Sequence, residues 1–248
     1  MTGRNLQPYL AEFVGTFLLV MLAAGAVVLT ARIGGTPSPV VCGLTSGSVL
    51  AVVIRLFGPI SGAHVNPALT VALAYLSRIP WGNVPGYVVA QLTGSAAGGL
   101  TVLWLIGDLA SVGANVPNAA VGMTAGGAFV LETILSFIMM VTILLCGDAG
   151  GIFDAGAIRI GAIVGLEVML FGPISGAAMS PARAFGPYLA WGDWSTFWVY
   201  VAGPFAGIMA AAILWRRVKA RRRNELRSEA AGRTQRSSAI PRRPGTPQ

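Results

Sequence analysis

The stretch "FGPISGAHVNPA" at residues 57–68 and the stretch "FGPISGAAMSPA" at residues 171–182 agree at nine of twelve positions, although they lie 114 residues apart. Both are rich in glycine and proline, which interrupt regular helices. A phrase of this length, written twice at such a distance, indicates an internal duplication. We therefore expect one structural unit to occur twice in the chain.

Each copy of the phrase contains a helix-start signal. Asn66 in the first copy and Ser180 in the second are each followed directly by proline. A polar N-cap residue with proline at the first helical position favours the beginning of a helix. The apolar pieces that follow, residues 67–76 and 181–191, are too short to cross a bilayer, so we expect two half-helices.

Composition indicates a membrane protein. Hydrophobic residues make up 54% of the chain and charged residues only 10%, which does not suit a water-facing surface. A spanning helix needs about 20 mainly apolar residues. Six runs of suitable length and composition occur, at residues 8–30, 39–57, 84–107, 123–147, 157–172 and 194–215.

The basic charge of the protein is concentrated at its C-terminal end. Eleven of the seventeen Lys and Arg residues fall within 216–248. A charge run of this kind is typical of a solvated tail, so the basicity does not indicate nucleic-acid binding. We predict a membrane domain over 8–215, with repeats at about 8–107 and 123–215, and a basic, disordered tail over 216–248.

The duplication has to be inverted in the membrane. Each unit holds three spans and one half-helix, and an odd number of crossings makes the second unit enter from the opposite side. The two half-helices then meet N-terminus to N-terminus near the midplane, where their positive dipole ends converge. Glu12 and Glu132 occupy matching places near the starts of the first and fourth spans.

No residue pattern indicates a metal or redox site, and we expect neither a metal nor a cofactor. Cys42 and Cys146 lie in apolar runs without the spacing of metal ligands or of a CxxC motif. His64 is the single histidine of the chain. Without a cysteine or a second histidine beside it, His64 does not make a zinc site.

The segments "SGAHVNPALT" and "SGAAMSPARAFGP", set on six spans with an inverted repeat, resemble the major intrinsic protein family of aquaporins and aquaglyceroporins over residues 8–215. The resemblance implies an all-α membrane protein with six transmembrane helices and two re-entrant half-helices. It also implies one pore per chain, assembly as a homotetramer, and passive conduction of water and small uncharged solutes rather than enzymatic activity.

The resemblance also assigns site residues. It implies a central constriction formed by Asn66, Pro67, Ala68, Ser180, Pro181 and Ala182. It implies an outer selectivity filter formed by Ser46, Val168, Ala177 and Arg183. Further expected roles are support of the re-entrant loops by the carboxylates of Glu12 and Glu132, and pore lining by His64.

The filter residues favour a wide pore. Strict water channels usually carry an aromatic ring and a histidine in the filter, whereas Ser46, Val168 and Ala177 are small or apolar. The pattern is most similar to the solute-conducting, nodulin-26-like branch. We expect glycerol, urea or neutral metalloid hydroxides to pass beside water, with a strict water channel as the alternative.

Other functions remain open at this stage. An ion-coupled secondary transporter would also use inverted repeats and broken helices, but it normally needs intramembrane acids for its coupling ion. An intramembrane hydrolase based on Ser175 or Ser180 lacks an apparent Ser-His-Asp set. Arg183 itself has an alternative role, which is a buried ion pair with Glu167.

The charge pattern predicts an orientation in the plasma or inner membrane. Arg78, Arg159 and the basic tail are expected on the cytoplasmic side, because basic flanks remain inside. The loop 108–118 contains no Lys or Arg and is expected outside. Both termini are then cytoplasmic.

Overall fold

The structure is a computed structural model that describes the backbone of residues 6–238 and the side chains as far as residue 225. Within this range the regular structure is helical and contains no strand. Eight α-helices follow in chain order: α1 (Gln7–Gly34), α2 (Pro39–Ser61), α3 (Pro67–Tyr75), α4 (Val84–Ile106), α5 (Ala125–Asp148), α6 (Ala155–Ser175), α7 (Pro181–Trp191) and α8 (Phe197–Ser238).

Six of these helices are long and apolar enough to cross a membrane within the described part of the chain: α1, α2, α4, α5, α6 and α8. The remaining two, α3 with nine residues and α7 with eleven, are too short to span. The predicted all-α fold of six spans and two half-helices is confirmed. Each half-helix follows directly on one copy of the repeated phrase.

The spans before the half-helices end later than the sequence predicts. Helices α2 and α6 continue through Pro59 and Pro173 for about one turn beyond the predicted ends at 57 and 172. A proline in the last turn removes few helix bonds, so it does not stop the helix there. The helices end instead at Gly62 and Gly176, whose φ of 90° and 92° is the left-handed conformation of a C-cap glycine.

The spans cross closely where small residues face each other. A Cβ atom added to Gly47 on α2 would lie 2.4 Å from the Gly161 carbonyl oxygen on α6. A Cβ atom added to Gly161 would likewise lie 2.4 Å from the Gly47 carbonyl oxygen. Small residues of this kind let helix backbones approach in lipid. The two repeats share a close contact of this kind. Gly94 of α4 packs on the Phe13 carbonyl of α1, and Gly207 of α8 packs on the Thr133 carbonyl of α5.

The chain divides into two units after Ala212, and the second is formed by the basic end of α8. Residues 216–238 of the predicted tail have a helical backbone. This segment is rich in Ala, Arg, Lys and Glu, which favour helix even without an apolar face. The predicted tail residues 239–248 lie outside the described residues.

Candidate functional site

Both half-helices begin at the polar residues that the sequence singles out. The Asn66 side chain accepts hydrogen bonds from Ala68 N at 3.0 Å and Leu69 N at 3.4 Å. The Ser180 hydroxyl accepts from Arg183 N at 3.3 Å. Both cap residues have extended backbones and both are followed by proline, which is the expected start of α3 and α7.

The two caps also bond across the centre of the molecule. Asn66 Nδ2 donates to the Met179 carbonyl at 2.8 Å, and Ser180 Oγ donates to the Val65 carbonyl at 3.5 Å. The helix starts therefore face each other, as an inverted repeat requires. Ser180 thus caps its half-helix as Asn66 does, but its shorter side chain makes the longer hydrogen bond to the opposite segment, 3.5 Å against 2.8 Å.

A buried glutamate holds each re-entrant segment. Glu12 accepts from His64 N at 2.8 Å, Val65 N at 2.7 Å and the Ser61 hydroxyl at 2.7 Å. Glu12 is fully buried. A buried charge is tolerated when several donors satisfy it, and these bonds satisfy donors of the loop as well.

The second glutamate repeats this arrangement with one partner fewer. Glu132 accepts from Ala178 N at 3.1 Å, Met179 N at 2.9 Å and the Ser175 hydroxyl at 2.9 Å. Glu12 has a further donor in Gln91, whose Nε2 lies 2.8 Å away. Proline stands at the matching place of the second repeat, residue 204, and offers no donor.

These carboxylates stabilise an unusual backbone. Ala63, Val65, Ala177 and Met179 have φ between 43° and 51°. Residues other than glycine rarely adopt this left-handed conformation, and each instance costs about 1–3 kcal/mol. The glutamate bonds fall on or beside these residues, so they offset the strain of the re-entrant segments.

A narrow internal cavity of about 70 Å³ runs past the two half-helix starts. Its wall is mainly apolar, and its polar lining residues are Ser46, His64, Asn66, Ser180 and Arg183. His64 is held in place by its Nδ1 contact with the Thr70 hydroxyl at 3.2 Å. Pro67, Ala68, Pro181 and Ala182 lie behind the caps, buried in the first turns of α3 and α7.

The four predicted filter residues come together at one end of this cavity. Four residues, Ser46, Val168, Ala177 and Arg183, line both the narrow cavity and a second, wide cavity of about 610 Å³. We call this second space the outer cavity, after the predicted outer filter. They are contributed by α2, α6, the second re-entrant segment and α7. The transition between a narrow and a wide space is where side-chain size controls access.

Arg183 does not pair with Glu167. Its guanidinium donates to the Gly113 carbonyl at 3.5 Å, while neither carboxylate oxygen of Glu167 has a hydrogen-bond partner among the described residues. Arg183 is therefore available to both cavities, and most of its hydrogen-bond donors can serve a solute.

A third cavity, of about 440 Å³, adjoins the opposite end of the narrow one. The two share lining residues from both repeats, among them Ile54, Ala63, His64, Ile143 and Ile160. Phe153 borders this inner cavity and packs on Gly58. The narrow cavity at the half-helix starts therefore has a wide cavity at each end. This succession of spaces is the geometry of a pore.

Comparison with known proteins identifies this architecture. Residues 2–215 match the major intrinsic protein family. The chain belongs to that family. Members are integral membrane channels and not enzymes, so this family member is a passive channel for water and small solutes. Its six apolar helices agree with that assignment.

The relatives of this family member are plant aquaporins and an aquaglyceroporin. It is 39% identical to the probable aquaporin NIP4-2 of Arabidopsis thaliana over 216 residues, which are 84% of this chain and 73% of that protein. It is 36% identical to aquaporin NIP3-1 of Zea mays, covering 86% and 70%. The X-ray structure of the aquaglyceroporin from Plasmodium falciparum superposes with a TM-score of 0.73 at 25% identity, covering 85% of this chain and 95% of that one.

The structure gives two asparagines of the loop 108–118 hydrogen-bond partners that the sequence does not predict. Asn115 Nδ2 donates to the Gly176 carbonyl at 2.6 Å, and Asn118 Nδ2 donates to the Pro173 carbonyl at 2.8 Å. The loop therefore packs on the second re-entrant segment and lines the wide outer cavity. Asparagines at turn positions are a weak signal for such bonds. The neighbouring sequence does not indicate which residues are their partners.

The acids of the loop between α5 and α6 also have partners. Asp148 pairs with Arg78 at 3.5 Å and Asp154 with Arg55 at 3.2 Å. The observed pairs are partly or largely exposed, so each contributes little to stability.

Cys42 lies nearer to the pore than its apolar surroundings predict. It borders the outer cavity together with Ser46 and Arg183. We expect a mercurial to reduce water flux through the wild type partially, because Cys42 stands beside the filter rather than in it. Ala177→Cys in a Cys42→Ser background is expected to be blocked almost completely, since residue 177 borders both the narrow and the wide cavity.

Stopped-flow water flux with and without a mercurial measures both effects. Cys42→Ser alone is the matched control and should be insensitive, because Cys146 is buried in α5 and borders neither of the two cavities. Strong inhibition of that control would contradict the placement of Cys146.

Proposed function

We propose that this channel conducts glycerol-sized neutral solutes as well as water, with Ser46, Val168, Ala177 and Arg183 as its selectivity filter. The observation that carries the proposal is the position of these four residues, which border both the narrow and the wide cavity. Three of them have small or apolar side chains, so the filter admits a molecule larger than water.

The chemistry of the filter suits polyols, urea and neutral metalloid hydroxides. Arg183 offers a fork of N–H donors to the oxygens of a solute, and Ser46 offers a small hydroxyl. Val168 and Ala177 face the carbon atoms or the bare edge of the same solute. The positive charge of Arg183 repels cations and protons. Similarity to a protein named an aquaglyceroporin supports this solute class.

We further propose that Asn66, Pro67, Ala68, Ser180, Pro181 and Ala182 form the central constriction. Both half-helix N-termini point to this place, so their positive dipole ends oppose cations. The Asn66 amide keeps one hydrogen beyond its bond to Met179. The Ser180 hydroxyl has a single hydrogen, so this half of the constriction offers fewer donors to a passing solute.

The glutamates argue against an ion-coupled transporter. Glu12 and Glu132 accept three or more hydrogen bonds each from their re-entrant segments, so they are not available to a coupling ion. The hydrolase alternative lacks a Ser-His-Asp set among the described residues, because Glu132 accepts from Ser175 and from two backbone N–H groups, and His64 contacts Thr70 instead of a serine. A strict water channel remains the direct competitor of the proposal.

The test is a stopped-flow comparison of purified protein in liposomes under water, glycerol, urea and boric acid gradients. We expect water flux together with flux of at least one of the three solutes, without saturation and without dependence on an ion gradient. A protein that passes water but none of the three solutes is a strict water channel, and this result would overturn the proposal.

We also propose a homotetramer in the plasma or inner membrane with cytoplasmic termini. Each chain holds its own pore, so assembly serves to bury apolar outer surface rather than to complete a site. Cross-linking of the protein in native membranes, with a ladder that ends at four subunits, tests the oligomer.

The orientation makes a separate prediction. Ser111, on the loop between α4 and α5, is expected outside because residues 108–118 carry no Lys or Arg. Ser111→Cys in a background with Cys42 and Cys146 replaced should react with a membrane-impermeant maleimide on intact cells. Labelling that appears only after lysis would reverse the topology.

A further inference from the structure

Glu167 is a buried acid without an evident structural role. Its side chain lies on α6 with 4% of its surface exposed, and neither carboxylate oxygen has a hydrogen-bond partner among the described residues. It precedes Val168, which borders the narrow cavity and the outer cavity. Buried polar groups are nearly always bonded, so an orphaned carboxyl beside the filter requires an explanation.

The internal repeat shows what the fold itself needs at this position. The shift of 114 residues that superposes the two phrases places Glu167 on Val53 and Met179 on Val65. Val53 is buried, and both Val53 and Val65 pack close to Gly15. A Cβ atom added to Gly15 would lie 3.0 Å from Val53 Cγ1 and 3.1 Å from Val65 Cγ1. The first repeat thus packs an apolar side chain where the second repeat carries a carboxyl.

The charged neighbour of Glu167 is the glutamate that supports the filter segment. The helices packed against α6 are α2 and α5, and their described ionisable side chains are Cys42, Arg55, Glu132, Cys146 and Asp148. Arg55 pairs with Asp154 and Asp148 with Arg78, both at the inner end of the helices. Among these groups, Glu132 is the fully buried acid, and it lies on α5, which packs against the helix that carries Glu167.

Two further ionisable groups bond to the same region from other helices. The Arg183 guanidinium of α7 donates to the Gly113 carbonyl, and the Tyr200 hydroxyl of α8 donates to the Ser175 carbonyl at 2.6 Å. Neither donates to Glu167. No cation therefore compensates a negative charge on Glu167 among the described residues.

The two glutamates cannot both be ionised at low cost. Glu132 accepts from two backbone N–H groups and one hydroxyl, and such donors favour the carboxylate form. A second carboxylate in the same apolar interior would be unpaired and would repel the first, and both effects are expensive. Glu167 is then the member of the pair that keeps its proton.

We propose that Glu167 is a proton-dependent positioning residue of the filter, conducting when neutral and restrictive when ionised. Loss of its proton at alkaline pH places a second negative charge beside Glu132. The repulsion disturbs the position of the Glu132 carboxylate and weakens the bonds that Ala178 N and Met179 N donate to it. These bonds hold the strained segment that carries Ala177. The filter then loses its open geometry, and permeability falls.

Water flux through proteoliposomes, measured from about pH 6 to about pH 9 in symmetric buffers, tests the proposal. Titration of one group predicts wild-type flux about twofold lower at the midpoint and about tenfold lower one pH unit above it. Glu167→Gln, which keeps the size but not the charge, should give a flat profile. Glu167→Val, which copies Val53, should also be flat, and Glu225→Gln on the exposed part of α8 should behave as wild type.

Equal pH profiles of the wild type and Glu167→Gln would overturn the proposal. Because water is the probe, the result does not depend on whether glycerol-sized solutes pass. Infrared difference spectroscopy gives a second readout that does not involve flux. At neutral pH the wild type should show the C=O stretch of a protonated carboxylic acid that Glu167→Gln lacks, and absence of this band in the wild type would equally overturn the proposal.

Discussion

The double substitution S46F/V168H is expected to abolish glycerol permeation while leaving much of the water flux. The two residues lie on α2 and α6 and border both the narrow and the wide cavity. An aromatic ring and an imidazole at these places reduce the opening towards the width of one water molecule. We expect glycerol flux to fall by at least about tenfold and water flux to change far less, because steric selection depends steeply on pore radius.

Stopped-flow light scattering with water and glycerol gradients on the same vesicles measures this ratio. Ser48→Phe is the matched control, since Ser48 lies two residues further along α2, is exposed, and borders a groove of small residues instead of the pore. The control should retain both fluxes. Loss of water flux in parallel with glycerol flux would show that the double substitution disrupts the protein and would not support the filter assignment.

Glu132→Gln is expected to lower the free energy of unfolding by about 3 kcal/mol, because charge-assisted hydrogen bonds to buried donors are lost. The carboxylate accepts from Ala178 N, Met179 N and the Ser175 hydroxyl. The amide that replaces it has one acceptor oxygen and a donor group that faces other donors. The second re-entrant segment, with its left-handed Ala177 and Met179, then loses its main support.

Thermal unfolding of the detergent-solubilised protein, followed by circular dichroism, checks the expectation. Glu167→Gln is the matched control, because Glu167 is also buried in the helical core but its carboxyl has no hydrogen-bond partner among the described residues. We expect the control to melt close to the wild type at neutral pH. Equal destabilisation of the two variants would mean that the bonds of Glu132 do not carry the segment.

Much of this fold follows from signals between neighbouring residues. The caps Asn66 and Ser180, each before a proline, specify where α3 and α7 begin, and the apolar runs specify the spans. The error at Pro59 and Pro173 has the same local origin, since proline weakens a helix interior but is tolerated in its last turn. The basic end of α8 is helical because helix formation needs only residues of favourable propensity, which Ala, Arg, Lys and Glu supply without burial.

The sequence by itself determined the inverted repeat, the two half-helices and the equivalence of Glu12 and Glu132. The repeated phrases and helix caps lie within short stretches, and the two glutamates occupy matching places near the starts of the first and fourth spans. Only the tertiary structure decided how several further side chains lie relative to the pore. It brings Cys42 to the outer cavity, bonds Asn115 to Gly176, and gives the Glu167 carboxyl no hydrogen-bond partner among the described residues. These relations join residues that are far apart in the chain, and the crossing of packed helices, not local propensity, sets the distances between them.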